Sequence, residues 1–250
     1  MSSPPLPSVP SVPPQPKRAR VEHKSQREWL LDRPDTFIGP TTTTRLRLPL
    51  FKEETGKVSS LVAEWNHFDA SPALLALANE LVTNALDAGH RNDAEHVQKR
   101  ISIEWREEMT FAVKNDGPTL AIAWNAEHEL WDPQIAFGEF QSGTNFDDTE
   151  KRFTAGRNGV GAKGANTYSK KLHLRIDNVV DAKTYEQTWT ENMSNVTKPR
   201  IVKTTRKTNE TLVEWVPDAS RLGGVDTVRT AMPLIARYLA YNASLCAAPG

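Results

Sequence analysis

The sequence predicts an α+β protein, a two-layer α/β sandwich whose sheet is mixed but mostly antiparallel. Three observations predict it. Residues 72–88 carry a broad helical stripe, several short runs between 101 and 216 alternate apolar with polar side chains, and residues 225–245 carry a second amphipathic helical pattern. Helices and strands that are apolar on one side bury that side against each other, which stacks them as layers.

Residues 25–32, SQREWLLD, read as a short helix with Ser25 as its cap and Glu28 three residues on, a capping box that ends before Arg33-Pro34. Residues 45–51 and 61–66 are strands or connectors. The 72–88 helix has Ser71 as a cap and Pro72 in its first turn, with Gly89 expected as the left-handed residue that closes it. Leu74, Ala78, Leu81 and Ala85, joined by Leu75, Val82 and Leu86, make its buried stripe. Ile101, Ile103 and Trp105 alternate, as do Phe111 and Val113, before the turn at Asn115-Asp116-Gly117. A helix is expected near 159–169. Strands follow at Leu172, Leu174 and Ile176, at Tyr185, Gln187 and Trp189, and across 211–216. The closing helix places Val225, Val228, Met232, Ile235 and Leu239 on one face and is expected to kink at Pro233.

Composition narrows the function classes. A chain of 250 residues is long enough to bury a sizeable core. Its formal net charge is zero, so no overall field draws it to nucleic acid or membrane, and it has no aromatic-basic stripe for nucleic acid. Its single cysteine, Cys246, rules out an internal disulfide and suits a reducing compartment. No apolar run reaches the roughly 18 residues of a membrane helix. No signal peptide is expected. Residues 1–16 hold seven prolines and no charge and lead into Lys17-Arg18-Ala19-Arg20, so 1–23 is read as a disordered tail with a basic cluster. That cluster is a solvated linker, a nuclear import signal or a weak phosphate-binding arm. Residues 24–246 form the folded domain and 247–250 a short tail.

Two places carry chemistry. On the 72–88 helix, Glu80, Asn84 and Asp87 fall within a wedge of roughly 60°, and no Lys or Arg lies on that helix to pair with the acids. A carboxylate can take a proton from water, and an amide oxygen can ligate a hard cation. A solvated polar face remains the simpler reading of this helix taken alone. The second place is TAGRNGVGAKGAN (154–166), with four glycines and a lysine in nine residues. A P-loop fails because Ala162 stands where its lysine belongs. The dinucleotide pattern is present at Gly159, Gly161 and Gly164, but the preceding residues are polar loop rather than a buried strand. A polar flap that opens a helix fits, with backbone N–H groups and Lys163 facing phosphate.

Taken in order, Glu80-x-x-x-Asn84-Ala85-x-Asp87, Asn115-Asp116-Gly117, Ser142 to Asp148 and Gly156 to Lys163 resemble the ATP-binding fold shared by gyrase and histidine kinases, the GHKL or Bergerat fold. RPDTFIG (33–39), FGEFQSGTNFDD (137–148), RNGVGAK (157–163) and YEQTWTENM (185–193) narrow the resemblance to the ATPase region of eukaryotic and large-virus type II DNA topoisomerases, over about residues 24–245. The resemblance implies Mg²⁺-dependent binding and hydrolysis of ATP. Glu80 stands at the position of the general base and Lys163 at that of a second catalytic group. Asn84 is implied as the Mg²⁺ ligand, Asp87 as a carboxylate that helps to hold the nucleotide, and Asn115 as the adenine-reading residue. Gly143, Thr144 and Asn145 match the stretch that touches ribose and phosphate. Gly156, Arg157, Asn158, Gly159, Val160, Gly161, Ala162 and Lys163 match the lid over the terminal phosphates.

The resemblance further implies an ATP-dependent homodimer in which an N-terminal strap, residues 24–40 with the basic cluster before them, crosses to the partner. It implies DNA as a partner of the complete topoisomerase, the nucleus or a viral replication site as the location, and no membrane. The sequence departs from the family at Thr119, preceded by Pro118, where the hinge motif has a second glycine, and at Val21, where the strap has a tyrosine. A side chain at 119 is expected to crowd the nucleotide or stiffen the loop. The chain is expected to lack the transducer and DNA-cleavage domains, so strand passage is not expected of it alone. A stand-alone ATP-binding module that dimerises and regulates, with little hydrolysis, is the alternative.

Overall fold

The structure is a computed structural model that describes residues 24–53, 61–90, 95–140 and 161–246. The expected tails, the basic cluster and Val21 lie outside these residues. Helix α1 (Gln26–Asp32) starts as expected: the Ser25 side chain accepts from the Glu28 amide, and the Glu28 carboxylate accepts from the Ser25 amide. Strands β1 (Thr44–Glu53) and β2 (Leu61–Ala70) pair antiparallel as a separate two-stranded sheet packed against the C-terminal helix. The stretches that read as strands or connectors are therefore strands. Pro49 is tolerated because each strand of a two-stranded sheet has a free edge.

Helix α2 (Pro72–Gly89) follows, with Ser71 capping it through the Leu74 amide. Strands β3 (Ile101–Arg106) and β4 (Thr110–Asn115) form a hairpin. A small hairpin of β5 (Trp124–Asn125) and β6 (Leu130–Trp131) precedes α3 (Asp132–Gly138). After α4 (Gly161–Thr167) come β7 (Ser169–Asn178), β8 (Lys183–Thr190), β9 (Asn195–Val196), β10 (Arg200–Lys203) and β11 (Glu210–Pro217). Helix α5 (Val225–Cys246) closes the fold.

The main sheet runs β10-β8-β7-β11-β4-β3, with β9 beside β8. Every pairing among the described strands is antiparallel, which is the antiparallel extreme of the expected mixed sheet. Strand β11 enters between the two hairpins, so Trp215 lies opposite Phe111 on one side and Leu172 on the other. These residues, with Val113, Val213, Leu174, Ile176, Tyr185 and Trp189, face α2 and α5 and form the core. The other face carries ion pairs such as Arg106–Glu214 at 2.8 Å and Arg200–Glu186 at 2.8 Å. One apolar and one charged face per strand is what the period of two along a half-buried sheet produces.

Two local expectations change. Gly89 is the last residue of α2, and the cap is His90 at φ −89°, so no left-handed residue closes this helix. A Cβ at Gly89 would meet the Gln98 side chain at 2.8 Å, so close approach rather than turn geometry calls for glycine. Val225 is 48% exposed, outside the buried stripe expected of α5, because it opens the helix directly after two left-handed glycines, Gly223 and Gly224. Pro233 sits inside a helix that runs on to Cys246. It faces solvent, as does Arg229, so the carbonyl that lacks an N–H partner is on the wet side.

Candidate functional site

The site is organised by α2. Its apolar stripe, Leu74, Leu77, Ala78, Leu81, Val82 and Ala85, is buried. The edge of that stripe leaves Glu80, Asn84 and Asp87 half-buried on one side of the helix. Helix α4 packs against this edge. A Cβ at Gly161 would lie 2.1 Å from Glu80 Oε2, and one at Gly164 would lie 3.4 Å from Leu77 Cδ2. As α4 advances from 161 to 164, α2 is met in reverse from 80 to 77, so the two helices pass antiparallel. The helix that follows the glycine run therefore begins directly on the Glu80 carboxylate, at a distance only a residue without a side chain permits.

Electrostatics follow from this packing. Burial, joined by the negative charge of Asp87, raises the Glu80 carboxyl above its ordinary value. Lys163, the third residue of α4, is only 1% exposed. Burial brings its amine down to about 8, against the Glu139 carboxylate just past α3, which favours the charged form. A buried ammonium is a place where an added anion is strongly felt, because little solvent screens it.

The Asn115 turn forms the other side. Asn115 is buried, and its Nδ2 donates to Gln98 Oε1 at 3.0 Å. Asp116 Oδ1 accepts from the Lys99 and Arg100 amides at 2.9 and 2.8 Å. A Cβ at Gly117 would lie 2.6 Å from Gln98 Oε1. Gln98 thus fits between Gly89 at the end of α2 and Gly117 in the turn, and it accepts from the Asn115 side chain. Sequence reasoning missed Gln98, because its only signal is two glycines distant in the chain. Among the described residues the buried Thr119 hydroxyl finds no hydrogen-bond partner.

Glu80, Asp87 and Gly161 are thus brought together, Lys163 is placed two residues further along α4 beside Glu139, and Asn115 is held by Gln98. Ala162 is half-buried and packs on the core. Gly143, Thr144, Asn145, Gly156, Arg157, Asn158, Gly159 and Val160 lie outside the described residues. The part of the expected strap that is described, residues 24–40, lies against its own chain: Leu30 is buried and its carbonyl accepts from Tyr168 Oη at 3.0 Å. Among the described residues no three His, Cys, Asp or Glu side chains converge. A divalent cation here would rely on the half-exposed Asn84 amide and on oxygens of its own ligand, a donor set that suits Mg²⁺ carried by a polyphosphate. No helix among the described residues is long and apolar enough to cross a membrane.

No family model matches the chain. The chain is 35% identical over 197 residues to the DNA topoisomerase 2 of Meyerozyma guilliermondii, an alignment that covers 79% of this chain and 14% of that protein. It superposes on the crystal structure of the ATPase region of Saccharomyces cerevisiae topoisomerase II with a TM-score of 0.74 at 30% identity, over 86% of this chain and 56% of that one. The ATPase and transducer domains of DNA topoisomerase II from Balamuthia mandrillaris superpose with a TM-score of 0.79 at 26% identity, over 89% of this chain and 56% of that one.

Proposed function

The chain is homologous to the N-terminal ATPase region of DNA topoisomerase 2, and from that premise we propose that it binds ATP with Mg²⁺ and hydrolyses it as the ATPase module of a type II DNA topoisomerase. The observation that carries this reading is the contact between Gly161 and the Glu80 carboxylate. It sets the start of the phosphate flap's helix against a partly buried base, and the two residues stand 81 positions apart in the chain.

In this reading Glu80 accepts the proton of the attacking water. Its raised pKa, caused by burial and by the charge of Asp87, makes it a stronger base than an ordinary glutamate. Lys163 faces the terminal phosphates, whose charge stabilises its ammonium and replaces Glu139 as its principal partner. Asn84 offers its amide oxygen to Mg²⁺ without adding negative charge beside the phosphates. Mg²⁺, when bound, neutralises phosphate charge as it develops on the way to products. Asp87 keeps the polar edge of α2 negative, Asn115 meets the adenine, and 143–145 and 156–160 complete the contacts with ribose and phosphate. ATP-driven closure of two copies, DNA strand passage by the complete enzyme, and a nuclear or viral-factory setting are the wider role proposed with it.

The test is steady-state ATP turnover, with and without the remaining topoisomerase domains, for the wild type and Glu80→Gln. Loss of a general base is expected to lower turnover by about 10²–10⁴-fold while ATP still binds. Equal turnover by the two proteins refutes the assignment.

A further inference from the structure

A network outside the nucleotide contacts joins the N-terminal helix to the helix that carries Lys163. After β8, three consecutive residues with side chains, Glu191, Asn192 and Met193, have left-handed backbone φ of 51°, 57° and 63°. Such a run is sterically disfavoured and persists only where the surroundings impose it. On its inner side the turn is held by the Asn192 amide donating to Ser169 O at 2.9 Å and by Asn192 Nδ2 donating to Thr167 O at 2.9 Å. Thr167 is the last residue of α4, and its hydroxyl donates to the Lys163 carbonyl at 2.8 Å. On its outer side the turn is held by one residue of α1: Arg27 Nε donates to the Asn192 carbonyl, and Arg27 Nη2 donates to Ser194 Oγ at 2.6 Å. The same helix grips the chain just after α4, where Tyr168 Oη donates to Leu30 O.

We propose that Arg27 is a positioning residue for Lys163: through the strained turn 191–194 it holds the C-terminal end of α4, and so sets where the buried amine stands beside Glu139. This rests on the reading of Lys163 as the group that meets the terminal phosphates. A guanidinium suits the task because its fork reaches two acceptors on the turn at once, which a lysine cannot do. Asn192 transmits the constraint, since its carbonyl is held by Arg27 while its side chain holds Thr167. Releasing Arg27 frees the outer side of the turn, so the left-handed residues can relax and the last turn of α4 loses one of its anchors, beside those that Trp215 and Asn166 supply through Ala165 O and Phe137 O.

The experiment compares full-length wild type, Arg27→Ala, Arg27→Lys and Ser194→Ala by amide hydrogen exchange and by titration with ATP and ADP. In R27A the amides of 163–168 are expected to exchange about tenfold faster, with β3 and β4 unchanged. ATP affinity is expected to fall roughly tenfold and ADP affinity less than about threefold, as a coupling of this kind allows. R27K should recover only part of the loss, and S194A should show a smaller change in the same direction. A purely structural role predicts equal losses for the two nucleotides, and that result overturns the proposal, as does unchanged exchange across 163–168. A wild type that binds neither nucleotide refutes the reading of Lys163 instead, and the exchange data still decide whether Arg27 holds α4.

Discussion

Replacing Gly161 by alanine separates the fold of this protein from its chemistry. The added Cβ would stand 2.1 Å from Glu80 Oε2, 3.0 Å from Cδ and 3.4 Å from Cβ. Only the carboxylate end overlaps seriously, and it belongs to a flexible, half-exposed side chain. A displacement of about 1 Å restores ordinary contact, at an off-rotamer cost of about 0.5–1.5 kcal/mol. Alanine in place of glycine within a helix returns about 0.5–1 kcal/mol, and Gly161 is not among the left-handed glycines that would forbid it. The two effects nearly cancel, so the melting temperature should move by no more than about 3 °C. The reacting group fares differently. A misplacement of about 1 Å at a base can cost about 10²-fold in rate. We expect G161A to bind ATP, to melt like the wild type, and to turn over about a hundred times more slowly. A coupled ATPase assay beside a thermal melt measures both quantities. Wild-type turnover in G161A would show that the position of the Glu80 carboxylate does not matter, and a collapse in melting temperature would show that Gly161 serves packing alone.

Lys163 makes a pH prediction whose sign is determined. Its folded pKa of about 8 lies below the ordinary lysine value of 10.5, so between these values the unfolded chain holds a proton that the folded chain lacks. The contribution of this group to stability therefore rises with pH across that window. Phosphate binding needs the charged amine, so ATP affinity should be level below pH 8 and fall above it. Lys163→Met should flatten both trends and weaken ATP more than ADP; an ATP affinity in the wild type that is level from pH 7 to 9.5 contradicts the assignment. Gln98→Ala removes the acceptor of the buried Asn115 amide and should cost about 1–3 kcal/mol, because a buried donor is left unpaired. It should also weaken nucleotide binding through Asn115 while leaving the ratio of ATP to ADP affinity unchanged. A shift in that ratio, followed by competition titration, would place Gln98 nearer the phosphates than the structure has it.

What the sequence determined by itself was local. The capping box at Ser25 and Glu28, the stripe of α2, and the alternation at Leu172, Leu174 and Ile176 all depend on neighbours within a turn or along a strand. Those patterns carry their own period. The polar edge of Glu80, Asn84 and Asp87 was legible for the same reason. Tertiary structure decided what that edge faces. The apposition of Gly161 to Glu80, the burial of Lys163 beside Glu139, the lodging of Gln98 between Gly89 and Gly117, and the hold of Arg27 on the turn after β8 each join residues distant in the chain. Gly89 shows the difference most plainly: its place at a helix end made a left-handed cap the natural reading, but the space it leaves is filled by a side chain that no local pattern could announce. Contacts of that kind exist only once the helices have packed on the sheet, because packing, not periodicity, sets which surfaces meet.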